Sequence, residues 1–359
     1  LIGSVKLKLA EVLSIDDAKV GGLISTLMST SIIVILAIGP LVDAWGHKPI
    51  AITGFALTGG SIFLIALART YKQAVLACMF LGLGAMCINT VGNTLMPIVL
   101  FGGKNAPAAL NLGNAFFGVG AFITPLIVGL LIRKLSFTKT ISIIALFTLL
   151  PIIFALAATN FPELPPGGFK LSEAVGMLGK PIVLVAALAL FCYVALEASM
   201  GGWITTYLTD VGYSPGGANG VLSGFWIAIM AARLGSVGLV TPEKGAIFIL
   251  VLAVASVVTL ALMVGAENKR LAAIAVVLTG LAFGPIFPTI VGVTFSKVEP
   301  AVHGSVFAII FAVGLLGAST IPAAIGIYSK GKTIRKSLVI AVVTAVVLSV
   351  LGYLMGCVG

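Results

Sequence analysis

"GPLVDAWGHK", Gly39 to Lys48, packs an acid, a histidine, a lysine and two glycines into ten residues. On either side lies an unbroken apolar run, 20–42 before it and 48–68 after it. Each run reaches the roughly 20 predominantly apolar residues that cross a bilayer as a helix. The stretch therefore reads as a short charged connector between two membrane helices.

The same reading extends along the chain. Further segments of spanning length occupy 74–100, 110–132, 139–159, 181–208, 218–240, 246–265, 271–295, 302–328 and 334–357, making eleven with the first two. Connectors such as "FGGKNAP" and "GAENKR" hold most of the charges. A barrel would show ten-residue alternation instead. Composition agrees: 60% of the 359 residues are hydrophobic, 9% are charged, and mean hydropathy is +1.22. Soluble domains carry about 25% charged residues. The expectation is an all-α, multi-pass integral membrane protein of a cell membrane, acting as a monomer with the lipid bilayer as its surroundings.

The net charge of +10 does not indicate nucleic acid. Lys and Arg lie in short connectors, where membrane proteins place them, and form no basic face or tail. Cys78, Cys87, Cys192 and Cys357 fall in apolar runs without metal-ligand or disulfide spacing. His47 and His303 are the only histidines. No zinc-type cluster, paired-carboxylate motif, Walker loop or nucleophile elbow is present. No cofactor and no enzymatic activity are expected, and without an ATP site any movement of a solute would be passive or driven by a gradient.

The chain repeats itself. Gly120, Pro125 and Gly129 meet Gly317, Pro322 and Gly326 at an offset of 197, and Gly39 and Lys48 meet Gly235 and Lys244 at 196. "GLGAMCINT" from Gly82 meets "GLAFGPIFP" from Gly280 at 198. Halves in the same order fit parallel repeats related by an axis along the membrane normal. The repeat divides the chain into an N-terminal bundle at 1–159, a Pro/Gly-rich linker at 160–180 and a C-terminal bundle at 181–359. Within the linker, "LSEAVGML" suits a short interfacial helix. By the repeat, Leu1 falls about midway down a helix, and complete halves would hold six spans each.

With the repeat in place, Gly39, Leu41, Asp43, Gly46 and Lys48 resemble the loop signature of the major facilitator superfamily. Ala44 and His47 stand where that signature has basic residues. The resemblance implies a bundle of two six-helix halves that rock to alternate access, with Asp43 and Lys48 latching them on the cytoplasmic side. "NTVGN" (89–93) and "LNLGNAFFGVG" (110–120) resemble segments of the fucose-permease-like sugar transporters, with Asn93 and Asn111 matching. Asn89 stands where that branch carries a Glu used in proton coupling, so the resemblance does not extend to that route. "LEASMGGWITTYL" and "GLAFGPIFPT" are also similar to this branch.

Of eleven acidic residues, only Glu197 lies deep in a span. A charge at the bilayer centre costs roughly 2.5–3.5 kcal/mol on insertion scales and marks function by default. A carboxyl there can take up and release a proton or, as a hard oxygen donor, bind Na⁺. H⁺ or Na⁺ is thus the expected coupling ion. Tyr193, Glu197, Met200 and Ile204 share a helical face, and Gly201-Gly202 permits a mid-membrane break of the kind found at transporter sites.

Asn89 and Asn93, and Asn111 and Asn114, form pairs one turn apart on two consecutive spans. Amides both donate and accept, which suits sugar hydroxyls; they are equally ordinary glue between membrane helices. Trp203 and Trp226 are stacking candidates for a sugar face, with an interfacial aromatic belt as their other reading. Phe117 and Phe287 read as packing residues or cavity lining. Arg233, the base well inside a span, reads as an interhelical or interfacial structural residue. Snorkelling to the interface and binding to Glu197 or a solute are its alternatives.

One conflict stands. With the Asp43 loop cytoplasmic, the cytoplasmic connectors carry Lys48, Lys104, Lys170, Lys180, Lys244 and Lys297. The other side carries twice as many basic residues, opposite to the positive-inside rule. The functional expectation is a secondary transporter for a small neutral polar solute, most simply a sugar. A multidrug or metabolite exporter of the same fold and a non-transporting sensor are the alternatives.

Overall fold

The computed structural model describes residues 2–164 and 170–358. These are helical almost throughout, with no strand among the described residues. The elements in order are α1 (Ile2–Leu13), α2 (Asp17–Trp45), α3 (His47–Leu67), α4 (Tyr71–Val99), α5 (Ala106–Ile132), α6 (Phe137–Leu149) and α7 (Pro151–Ala157). Then follow α8 (Leu171–Gly176), α9 (Pro181–Asp210), α10 (Pro215–Ser236), α11 (Gly245–Gly265), α12 (Lys269–Phe283) and α13 (Ile286–Phe295). The last three are α14 (His303–Tyr328), α15 (Ile334–Ser337) and α16 (Val339–Cys357).

Among the described residues, eleven helical stretches are long and apolar enough to cross a membrane, and their bounds follow the hydropathy reading closely. The short helix expected at "LSEAVGML" forms as α8 over Leu171–Gly176.

Local sequence explains several helix ends. Side chains of Asp16, Ser136, Ser214, Asn268 and Thr333 accept from backbone N–H groups in the first turns of α2, α6, α10, α12 and α15. Such caps satisfy donors that a helix start otherwise leaves unpaired. Between α2 and α3 the chain turns on Gly46, at φ 82° and ψ 170°, a conformation open essentially to glycine alone. Pro151 lacks an N–H and opens α7, splitting the fifth long stretch.

Two compact units emerge. The first comprises Leu1–Leu95, Val119–Leu171 and Ala301–Ala308, and the second Met96–Gly118, Ser172–Pro300 and Ile309–Gly359. In the first, Leu9, Leu23, Ile65, Ala77, Val128 and Ile141 lie in one buried apolar cluster. In the second, α9 packs on α10, α12, α13 and α16, and its Leu190, Tyr193, Leu196 and Ile204 are fully buried. Large apolar side chains such as Ile33, Phe154, Val251 and Val343 point outward, as a lipid-facing surface requires.

Close helix approach replaces hydrophobic driving force in such packing. At Gly317 of α14 an added Cβ would overlap the Phe191 carbonyl of α9. At the start of the same helix, Gly304 lies against Gly39 of α2 so tightly that a Cβ on either would strike the other's carbonyl oxygen.

The expected break at Gly201-Gly202 is absent, because α9 runs continuously from Pro181 to Asp210. Gly201 instead leaves room for the Trp226 ring, 3.2 Å from where its Cβ would stand. The break occurs at Gly284-Pro285, between α12 and α13, within what the sequence reads as one span.

Candidate functional site

The second unit gathers its polar groups at that break. Pro288 carries no N–H, so the Gly284 carbonyl loses the helical partner four residues on. Arg233 of α10 fills the gap, donating from Nε to the Gly284 oxygen at 2.8 Å. Its Nη1 donates to the Asn114 carbonyl of α5 at 3.1 Å. Its Nη2 reaches the Tyr193 hydroxyl and Glu197 Oε1 of α9, both at 3.4 Å. The Tyr193 hydroxyl donates to the same Oε1 at 2.9 Å. Tyr193 and Glu197 are one turn apart, so both side chains meet the guanidinium.

Aromatic rings close the back of this cluster. Tyr193 packs edge-on to Phe283 and tilted against Phe287, with centroids 6.1 Å away in both cases. Phe287 in turn meets Phe311 of α14 at 5.7 Å. The Arg233 side chain is 6% exposed, whereas that of Glu197 is 25% exposed. Oε2 of Glu197 accepts no hydrogen bond from the described residues. The arrangement is a carboxylate with one oxygen tied back to a buried cation and one oxygen free. It can accept from a hydroxyl or exchange a proton.

Arg233 thus does not snorkel. It bridges three helices from inside, which the sequence offered as one of several readings. Two of its four partners are main-chain oxygens, which no side-chain motif announces.

The amides take distinct places. Asn111 donates to the Pro107 carbonyl at 2.9 Å and to the Thr289 hydroxyl of α13 at 3.1 Å. Its own Oδ1 is buried without a partner. Asn114 donates from its side chain to the Leu110 carbonyl, and its main-chain oxygen takes Arg233. Asn89 and Asn93 lie in the first unit, where Asn93 donates to the Asn89 carbonyl at 2.9 Å and its side chain meets that of Asn89 at 3.5 Å.

Trp203 donates from its indole N–H to the Pro322 carbonyl of α14 at 3.1 Å, with Gly326 beneath the ring. Trp226 stands against Gly201 and Phe225 and is 38% exposed. Phe117 is exposed and Phe287 buried.

Asp43 occupies the first unit, at the last turn of α2. Its Oδ1 accepts from the Gly304 N–H at 2.8 Å. Its Oδ2 accepts from the Ser305 N–H at 2.7 Å and the Ser305 hydroxyl at 2.6 Å. A carboxylate is thereby set on the first turn of α14, where N–H groups are unpaired and the helix dipole favours negative charge. Lys48 is engaged elsewhere: it donates to the Leu156 and Ala158 carbonyls at the end of α7, at 3.1 and 2.8 Å.

A second contact in the other unit has the same form. Asn105 caps α5 by accepting from the Ala108 N–H at 3.1 Å and donates to the Val240 carbonyl at 2.9 Å. By the repeat, Val240 falls beside Asp43 and Asn105 beside the start of α14. The two chemistries are inverted, which is why matching residues by type misses the pair.

Comparison with known proteins bears on the family and the fold. Residues 1–322 match the family model described as Major Facilitator Superfamily. "Bypass of stop codon protein 6" of Saccharomyces cerevisiae is 27% identical over 308 residues, covering 74% of this chain and 61% of that protein. A "Glucose/galactose transporter" of Brucella abortus is 29% identical over 222 residues, covering 56% of this chain and 53% of that protein. The chain thus spans between half and two thirds of these relatives' length. Among solved structures, the outward-conformation transporter FucP superposes with a TM-score of 0.82 at 18% identity, covering 99% of this chain and 96% of that one. The proton:xylose symporter XylE gives 0.73 at 12% identity, covering 97% and 89%. On the match over nearly the whole chain, and on a fold that agrees with it, this multi-pass integral membrane protein belongs to the Major Facilitator Superfamily.

Proposed function

We propose that the protein is a secondary transporter. It carries a small neutral polar solute, a sugar, by alternating access coupled to a proton or sodium gradient. The observation that carries this reading is the Glu197 carboxylate, tied through Oε1 to Tyr193 and Arg233 and open at Oε2. A charge kept in a membrane span, facing protein on one side and space on the other, suits a solute or ion site. Family membership supports transport rather than catalysis. The sugars named for the relatives (glucose and galactose, fucose, xylose) support the solute class.

In this reading Glu197 takes the coupling ion and helps bind solute. Asn89, Asn93, Asn111 and Asn114 offer amides to hydroxyls, and Trp203 and Trp226 offer ring faces. The bundles 1–159 and 181–359, joined by 160–180, are the bodies that rock. Asp43 on the start of α14 is the gate contact, and Lys48 steadies the adjoining loop.

The test is counterflow. Labelled hexoses are offered to liposomes that hold the protein and are preloaded with unlabelled sugar. Transient accumulation of a hexose is the expected result. No exchange of any hexose by a protein shown to be folded overturns the sugar reading.

A further inference from the structure

We propose that Arg233 selects the charge of the solute: by balancing Glu197 from behind, it reserves the site for neutral, hydroxyl-rich molecules. The inference rests on the reading above that Glu197 faces the solute.

The guanidinium is held from two sides by main-chain oxygens, Gly284 at 2.8 Å and Asn114 at 3.1 Å. The first of these has no helical donor, because residue 288 is a proline. The cation is therefore built into the helix break and is not free to follow a ligand. What remains of its donor edge lies toward Tyr193 and Glu197 Oε1.

An incoming molecule meets the more exposed partner, Glu197, through an oxygen that accepts nothing from the described residues. That oxygen is a strong acceptor for an O–H group. No net charge accompanies it. Away from their ends, α5, α9, α10, α12, α13 and α14 carry no other Asp, Glu, Lys or Arg. A cationic sugar, unlike a bare coupling ion that reaches Oε2 itself, gains little from a carboxylate already balanced, and an anionic one is met first by that carboxylate. Tyr193, buried and donating to Oε1, keeps the pair aligned without adding charge.

Removing either partner then swings the preference in opposite directions. Glu197→Gln leaves the Arg233 charge unbalanced and favours an anionic sugar. Arg233→Gln leaves the carboxylate unbalanced and favours a cationic one. A unit charge about 6 Å away at an effective dielectric of about 20 changes an affinity by roughly a hundredfold.

The experiment measures binding of glucose and galactose, their 2-amino derivatives and their 6-carboxylates to purified protein at neutral pH, by tryptophan fluorescence. The wild type is expected to bind a neutral hexose at least about tenfold more tightly than either charged form. Glu197→Gln is expected to gain for the carboxylate and Arg233→Gln for the amine, each relative to the neutral sugar. Should Arg233→Gln misfold, the double variant with Pro288→Ala returns a helical N–H to Gly284 and carries the same expectation. Neutral-hexose binding with an unchanged charge order in both variants overturns the role of Arg233 and leaves the sugar reading standing. Binding of none of the six sugars by folded wild type overturns the sugar reading itself.

Discussion

Replacing Asp43 with Ala strips the start of α14 of three accepted hydrogen bonds, at 2.8, 2.7 and 2.6 Å. Two of the donors are backbone N–H groups that no helical carbonyl can take. Leaving a buried donor unpaired costs about 1–3 kcal/mol, and losing a cap costs about 0.5–2 kcal/mol. The Ser305 hydroxyl can turn to another acceptor, and the carboxylate's own desolvation is recovered. The net loss is about 3 kcal/mol, all of it borne by the state in which α2 and α14 touch. At 1.4 kcal/mol per factor of ten, the population in which they part rises roughly a hundredfold. The assay uses Ala308→Cys, a position 1% exposed and packed on Gly39, with exposed Cys357 changed to Ser. A maleimide labels the introduced thiol at a rate set by how often the contact opens. Labelling should be slow with Asp43 present, about a hundredfold faster in Asp43→Ala, and intermediate in Asp43→Asn, which keeps one acceptor. Rates within about twofold of one another would refute the gate reasoning.

Four further outcomes are expected. Arg233→Met leaves Glu197 and the Gly284 oxygen without their buried donor, and should lower stability by about 3–5 kcal/mol; Pro288→Ala in that background should recover about 1 kcal/mol, read by thermal unfolding in detergent. Gly317→Ala drives a Cβ into the Phe191 carbonyl and should cost at least about 1–3 kcal/mol. Its repeat counterpart Gly120→Ala meets nothing within 4 Å and should be neutral or stabilising by up to about 1 kcal/mol; equal melting shifts for the two glycine variants would contradict the packing described.

How far the sequence carried the reading depended on the kind of force involved. Span bounds were legible because they follow from hydrocarbon thickness alone. The connector around Gly46 was legible because its charged residues interrupt two apolar runs. The break at Gly284-Pro285 was passed over because its segment is apolar throughout, and hydropathy does not register a missing N–H. The pair at 201–202 misled for the opposite reason. Glycine in a membrane helix serves either a break or a close approach, and only the position of Trp226 decides between them.

Glu197 stood out by its charge, but its setting did not. Arg233 lies 36 residues away in sequence, and it is fixed by carbonyls of α5 and α12 that any residue could supply. The Asp43 partners, Gly304 and Ser305, were hidden likewise, since two of three bonds go to backbone N–H groups.

The most direct test of the central claim is hexose uptake into liposomes under imposed proton or sodium gradients, comparing wild type with Glu197→Gln. The account predicts gradient-driven accumulation by the wild type, and in Glu197→Gln either no uptake or uptake that no longer follows the gradient. Equal gradient-driven accumulation by both proteins would make Glu197 a structural partner of Arg233 and contradict the account.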